Sequence, residues 1–272
     1  AARFAGPGQP YEGLAKLVTR PDGSREARWT GKVELVEHML WQPLKWRRPR
    51  RIFVNSMSDL FHEEVSDGQI MRVLDVMYRA SWHTFQVLTK RPGRMRDLLR
   101  RWADIAGEDP CEFRDARGPA AVREAHPSGR GQLFAALVEA MGEPPPGAAY
   151  PTFDWAGGPL YWPSVPRNVW FCVSVENQAA ADERIPLLLQ TPAAVRFISA
   201  EPLLGPIDLE VVPIPAPGAD VYGLRGVAQP LTEKDAEPDD WKYWTRHSAK
   251  LDWVIVGGES GPGARPCHEA WV

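Results

Sequence analysis

Cysteine is scarce in this chain: three residues among 272, at Cys111, Cys172 and Cys267, and none in a Cys-x-x-Cys pair. Three widely separated thiols, an odd number, argue against a disulfide framework and a self-contained zinc site, and for a reducing compartment. Long hydrophobic runs are lacking too. No apolar stretch approaches the roughly 18 residues of a membrane span, and no signal peptide opens the sequence. Nor is there an excess of one charge: 32 basic and 35 acidic residues leave −3, so no global basic field draws the chain to nucleic acid, although a local basic patch stays open. A P-loop ending and a dinucleotide fingerprint are missing, and no Ser-His-Asp or Cys-His arrangement can be argued from spacing. The expectation is a soluble cytoplasmic protein with no membrane partner.

What is present is a core-forming composition, 44% hydrophobic, in a length that suits one large α/β domain or two small ones. Both ends read as cut: there is no initial methionine, and HEAWV at 268–272 has the look of a first helical turn. Five short strands rich in Val, Ile and Phe stand out: RIFVNSMSD at 51–59, HTFQVLTKRP at 83–92, NVWFCVSVENQ at 168–178, VRFISAEPL at 195–203 and DWVIVGGES at 252–260. Helical patterns follow the first three. Ile70, Val73, Leu74, Met77 and Tyr78 share one face after the first, and Met95, Leu98, Leu99 and Trp102 after the second. QAAADERIPLLLQ follows the third behind Asn177, a candidate N-cap.

The strands run continuously apolar, which predicts burial on both faces and a parallel sheet with helical crossovers. Two of the intervals between strands match the roughly 30 residues of one βα unit. The others hold insertions, at about 105–166 and 210–250, in which QLFAALVEAMG at 132–142 is the only convincing helix and no strand is as clear as the five. No internal repeat is visible beyond the βα rhythm.

Each strand ends in polar or charged residues: Asn55, Ser56 and Asp59; Thr89, Lys90 and Arg91; Ser174, Glu176 and Asn177; Ser199 and Glu201; Glu259 and Ser260. In parallel α/β folds ligands bind at the carboxyl ends of the strands, where loops converge, so these groups are candidates to line one pocket. Capping and turn formation are the plainer explanation of any one of them. Glu176 and Glu201 stand out because each precedes a residue that stops its strand, Asn177 or Pro202. Lys90 is equally a solvated loop lysine, and Asp59 equally a residue at a helix start. The glycines of GGESGPG allow either close approach of a phosphate or carboxylate to the backbone, or a tight turn without ligand.

KWRRPRR at 45–51 precedes a strand and reads as solvated. The arginines of KRPGRMRDLLRR at 90–101 begin at the pocket end, where a phosphate or nucleic-acid role is more credible. Twelve tryptophans, among them Trp41, Trp46, Trp155 and Trp162, are base-stacking candidates, with packing the commoner explanation. His62 and His83 are isolated and read as structural.

Together VNSMSDLFHEEV, FQVLTKRP, NVWFCVSVENQ, RFISAEPLLGPI and DWVIVGGESGPGARP resemble, in that order, the phage-associated proteins of unknown function named after phage gene products thirty-seven and sixty-eight, whose fold is similar to radical S-adenosylmethionine enzymes. The resemblance covers the five strands and not the insertions. It implies a single domain over 1–272, an α/β fold of the radical-SAM type: a partial (β/α) TIM-like barrel of parallel strands with helical crossovers and two insertions. It also implies a [4Fe-4S] cluster, held by a three-cysteine segment ahead of Ala1, and S-adenosylmethionine. Cys111, Cys172 and Cys267 do not match that triplet in spacing. Asn55, Ser56 and Asp59 would then hold the methionine moiety. Ser174, Glu176, Ser199 and Glu201 would meet the ribose or the substrate, with Lys90 and Arg91 attracting an anionic group. Catalytic candidates are thus Lys90, Glu176 and Glu201; cofactor-binding candidates are Asn55, Ser56, Asp59, Ser174, Asn177, Ser199, Gly257, Gly258 and Glu259. The substrate is open, with nucleic acid, a nucleotide and a partner protein all in view. Gly257-Gly258-Glu259 shares its letters with a radical-enzyme motif, but that motif follows an early strand and this run a late one.

Two other readings compete. In one, Asp59, Glu176, Glu201 and Glu259 bind Mg²⁺ or Mn²⁺ in a hydrolase or phosphotransfer enzyme. In the other, the barrel is a non-catalytic nucleic-acid-binding module using the basic helix and the tryptophans.

Overall fold

The computed structural model describes residues 12–56, 58–106, 166–209, 212–213, 219–222, 227–230, 250–261, 263–268 and 271. The chain divides into two compact units, Ala1–Met39 and Leu40–Val272. In the first, β1 (Ala15–Thr19) and β2 (Arg25–Trp29) form an antiparallel hairpin with Leu17 opposite Ala27. No strand is expected there from apolar runs. The available signal is Pro21-Asp22-Gly23, a turn sequence in which Asp22 Oδ1 accepts Ser24 N at 2.8 Å and Gly23 sits at φ +80°.

A short helix, α1 (Glu37–Leu40), crosses the division between the units, and α2 (Gln42–Lys45) is the first element wholly within the second. Then β3 (Arg51–Val54), α3 (Asp67–Arg79), β4 (Thr84–Thr89), α4 (Pro92–Ala106), β5 (Val169–Ser174), α5 (Gln178–Leu189) and β6 (Val195–Ala200) alternate. After β7 (Val212–Pro213), β8 (Ala219–Tyr222) and β9 (Val227–Pro230), β10 (Trp253–Val256) completes the series. The five expected strands form one parallel sheet in the order β10-β6-β5-β4-β3.

That order follows the sequence without reversal, so each strand joins the same side of its predecessor. Right-handed crossovers then carry the helices to one face. The packing agrees: Ile70, Leu74 and Met77 of α3, Met95, Leu98 and Leu99 of α4, and Ile185 and Leu188 of α5 are buried in one cluster with Phe85, Val87, Phe171, Val173 and Ile198. Ser66 starts α3 with a capping box, its side chain accepting Gln69 N at 3.2 Å while Gln69 Oε1 accepts Ser66 N at 2.9 Å.

The other face carries two side-by-side rows, Leu88–Cys172–Phe197–Trp253 and Ser174–Ser199–Ile255. Trp253 stacks on Phe197 at 5.3 Å and meets Trp170 edge-on at 6.1 Å. β5 and β6 are buried as expected, but the outer strands are not: Phe53 on β3 is 46% exposed and Trp253 on β10 is 42% exposed, each strand having a neighbour on one side only among the described residues. The fold is thus mixed α/β with a five-stranded parallel sheet flanked by helices, and no closed barrel forms among the described residues.

The second insertion holds the antiparallel sheet β7-β8-β9, whose sequences VP, ADVY and VAQP lack the continuous apolar run that marks the five parallel strands. The helix expected at 132–142 lies outside the described residues, as do Trp155 and Trp162. At the amino ends of the strands His83 is buried; Arg50 N donates to its Nδ1 at 3.1 Å, which leaves Nε2–H to donate to Pro43 O at 3.0 Å. Trp46 packs edge-on to His83 and under the Arg50 guanidinium, so this tryptophan is a packing residue. No described helix is long and apolar enough to cross a membrane.

Candidate functional site

Alternation of side chains makes the carboxyl edge of the sheet polar. Ser174 and Ser199 are neighbours on the face away from the helices, and both are buried. Two residues further on, the period of a strand brings Glu176 and Glu201 to the same side. The backbone keeps these ends together: Val175 N donates to Ser199 O at 2.9 Å, Leu204 N to Glu176 O at 2.8 Å and Leu203 N to Gly257 O at 2.8 Å.

Glu176 sits between two cations. Lys90 Nζ bonds its Oε1, and Arg184 Nη1 donates to its Oε2 at 2.8 Å and to Ser174 O at 2.7 Å. Burial pushes the Glu176 carboxyl up, but the Lys90 hydrogen bond and the charges of Arg184 and Lys90 outweigh it and hold it below its ordinary value. The two cations differ in access. The Lys90 side chain is 54% exposed, whereas that of Arg184 is 16% exposed and its Nε is buried without a hydrogen-bond partner. Arg184 was not among the expected site residues. Its signal is its place in α5, eight residues past Glu176, but an Arg beside Glu183 in a helix reads as surface charge until the strand end is placed.

Asp59 is a tie between the loops after β3 and β4. Its Oδ1 accepts Phe61 N at 2.9 Å and Thr89 Oγ1 at 2.7 Å; its Oδ2 accepts Lys90 N at 3.0 Å and Arg91 Nη1 at 3.2 Å. Arg91 also bonds Glu63 at 2.9 Å. Asn55 takes the left-handed conformation at φ 59°, one that Asn tolerates better than most residues, and its carbonyl accepts Ser58 N at 3.1 Å. Asn55 is therefore the turn residue after β3, and Ser56 lies exposed beside it.

Asn177 caps α5, Oδ1 accepting Ala180 N at 3.0 Å. Glu259 is engaged within its own loop: Arg265 reaches it through N at 2.9 Å, Nε at 2.8 Å and Nη2 at 3.1 Å, and these bonds lower its carboxyl to about 2. Glu201 is exposed, with Ser199 Oγ 3.4 Å from its Oε2. So Lys90, Glu176 and Ser174 are brought together, as are Ser199, Glu201 and Gly257. Asn55, Asn177 and Glu259 have local structural tasks.

The glycine run divides in two. Gly261 and Gly263 adopt φ +106° and +78°, which L residues rarely take. Gly257 and Gly258 do not; the space their side chains would fill belongs to Glu201 and to Cys267, whose Cβ would lie 3.2 Å from one on Gly258. Close approach is real here, but the approaching groups are the protein's own.

The arginines of α4 are occupied. Arg94 bonds His62 O, Val65 O and Asp67; Arg96 bonds Asp97; Arg100 bonds Gln190 O; Arg101 bonds Asp67 and Asp97 O. Among the described residues no group of three or more His, Cys, Asp or Glu could hold a metal ion. Of the thiols, Cys172 is fully buried in the sheet, burial pushing it far up, and Cys267 is exposed.

The described residues thus form an α/β protein with one unreversed parallel sheet, two adjacent buried serines and a charged carboxyl edge. The chain belongs to the family described as protein of unknown function (DUF5131), whose model matches residues 8–272. No curated protein and no solved structure matches the chain.

Proposed function

We propose that this chain is the partial (β/α) barrel of a phage-associated radical S-adenosylmethionine-type enzyme, which binds the cofactor and an as yet undefined substrate at the carboxyl ends of β4, β5, β6 and β10. The observation that carries the reading is the unreversed parallel order β3, β4, β5, β6, β10 together with the polar residues Ser174, Ser199, Glu176 and Glu201 at its carboxyl end. An unreversed order is the one a (β/α) barrel has, unlike the reversed order of a doubly wound sheet, and it supports a ligand site on the face opposite the described helices.

The described thiols do not fit a [4Fe-4S] cluster, Cys172 being buried and Cys267 standing alone, so no step is routed through one. What the chain's residues do is bind and orient. Ser174 and Ser199 offer hydroxyls to a ribose, Lys90 offers an ammonium to an anionic group, and Arg184 keeps Glu176 ionised and in place when Lys90 turns to ligand.

The rival readings draw less support. Asp59, Glu176 and Glu259, three of the four carboxylates of the metal-hydrolase reading, are each paired with arginine or lysine. The basic helix of the nucleic-acid reading is occupied with intramolecular partners.

The test is anaerobic reconstitution of the protein together with the cysteine segment that the resemblance puts ahead of Ala1. Iron–sulfur absorbance and 5′-deoxyadenosine release on reduction are expected; their absence overturns the reading. Within it, Lys90→Ala costs at most about 1 kcal/mol of stability, as an exposed pair, and weakens S-adenosylmethionine or substrate binding. Arg184→Ala costs about 3 kcal/mol, because it leaves Glu176 and Ser174 O without their buried partner.

A further inference from the structure

The end of β10 poses a question that its backbone does not answer. Gly257 has no left-handed φ that would require glycine, yet a Cβ built there would fall 3.0 Å from Cγ and 3.1 Å from Cδ of Glu201, and nearer still to Oε1. At such distances one group has to move, and the exposed Glu201 side chain is the one free to do so; with glycine at 257 it occupies the slot in which residue 257 would carry its own side chain. The register explains the meeting. Ser199 pairs with Ile255 and Ala200 with Val256, so Glu201 and Gly257 come next, on the face that bears Ser199. Gly257 N donates to Ala200 O at 3.2 Å and Leu203 N to Gly257 O at 2.8 Å, which fixes the two main chains on either side of Glu201.

We infer that Gly257 is a positioning residue: its missing side chain seats the Glu201 carboxylate against β10, where it presents acceptor oxygens to an amine or hydroxyl donor of the bound ligand. A side chain at 257 displaces the Glu201 carboxylate from its place against β10. Glu201 differs from the site's other carboxylates in what holds it. Asp59, Glu176 and Glu259 are neutralised by Arg91, by Arg184 and Lys90, and by Arg265, whereas the partner at Glu201 is the Ser199 hydroxyl at a long 3.4 Å. A carboxylate so loosely engaged retains most of its accepting capacity for ligand. The donor-bearing ligand rests on the function proposed above; the seating of Glu201 by Gly257 does not.

A double-mutant cycle separates the two. Gly257→Ala, Glu201→Ala and the double variant are compared by thermal unfolding, with Glu201→Asp/Gly257→Ala as the shortened side chain. Gly257→Ala is expected to lower the melting temperature by about 1–3 °C in the native background, the cost of moving an exposed side chain, and to have no such effect once residue 201 is alanine; aspartate restores most of the loss. Any general effect of alanine on the unfolded chain is the same in both backgrounds and cancels. Should Gly257→Ala alone not fold, recovery of folding in the double variant reads the same coupling. Equal falls in both backgrounds, or none in either, overturn the seating.

Calorimetric binding of S-adenosylmethionine to the same variants reads the functional half. Gly257→Ala and Glu201→Ala should each weaken it by about ten- to hundredfold, and the double variant no further. Additive losses overturn the positioning role. Failure of the native protein to bind the probe counts against the proposed function and leaves the thermal cycle as the judge of Gly257.

Discussion

Asp59 accepts four hydrogen bonds, two of them from the main chains of different loops, and thereby joins the turn after β3 to the turn after β4. Asp59→Asn keeps the shape but sets an amide against Lys90 N and Arg91, and should cost about 2–3 kcal/mol in urea unfolding. Glu259 carries a different lesson. Its carboxyl lies at about 2, against an ordinary 4.5, because Arg265 donates to it from side chain and backbone. A depressed folded value means that the tie is complete above pH 4.5 and is lost as pH falls toward 2. Carbon NMR titration of the carboxyl should show this, with Arg265→Gln returning the midpoint toward 4.5. A midpoint unmoved by that substitution rules out Arg265 as the cause.

At the scale of elements, α5 follows β5 after three residues, and Asn177 governs the junction by capping Ala180 N. That places Arg184 two turns on, beneath Glu176, so the cap aligns an ion pair it does not touch. Asn177→Ala should cost about 1 kcal/mol and Asn177→Asp almost nothing, by chemical denaturation. A ligand-binding role would predict instead that both variants lose affinity while stability stays level. The α4 arginines show the same economy: each secures a neighbouring loop or helix end, so neutralising them should destabilise the fold.

For the molecule as a whole, the two faces of the sheet differ in weight. The helix-covered face forms the buried core, and Phe171 is completely buried there. Phe171→Ala should cost about 3–5 kcal/mol by denaturant unfolding. Trp253 on the outer strand of the other face is 42% exposed, so Trp253→Ala should cost clearly less even though the side chain is larger. Equal costs would show that the outer strand of that face is as firmly packed as the helix-covered one.

Strand positions, the parallel sheet and the helices that follow β3, β4 and β5 were written in local patterns: apolar runs such as Val169–Ser174, the spacing of Ile70, Leu74 and Met77, and the caps at Ser66 and Asn177. These depend on neighbours in sequence, so the chain by itself determined them, along with the polar strand ends. Which of those polar groups are tied down, and by what, was decided only by tertiary structure. Asp59 and Thr89 lie 30 residues apart, Lys90 and Glu176 86 apart, and Glu201 meets Gly257 only because β6 and β10 adjoin in register. β1 (AKLVT) and β2 (REARW) mix charged with apolar residues and so offer no apolar run, and β7 has only two residues. Pairing across such separations is set by the sheet's strand order, which no local run of residues encodes.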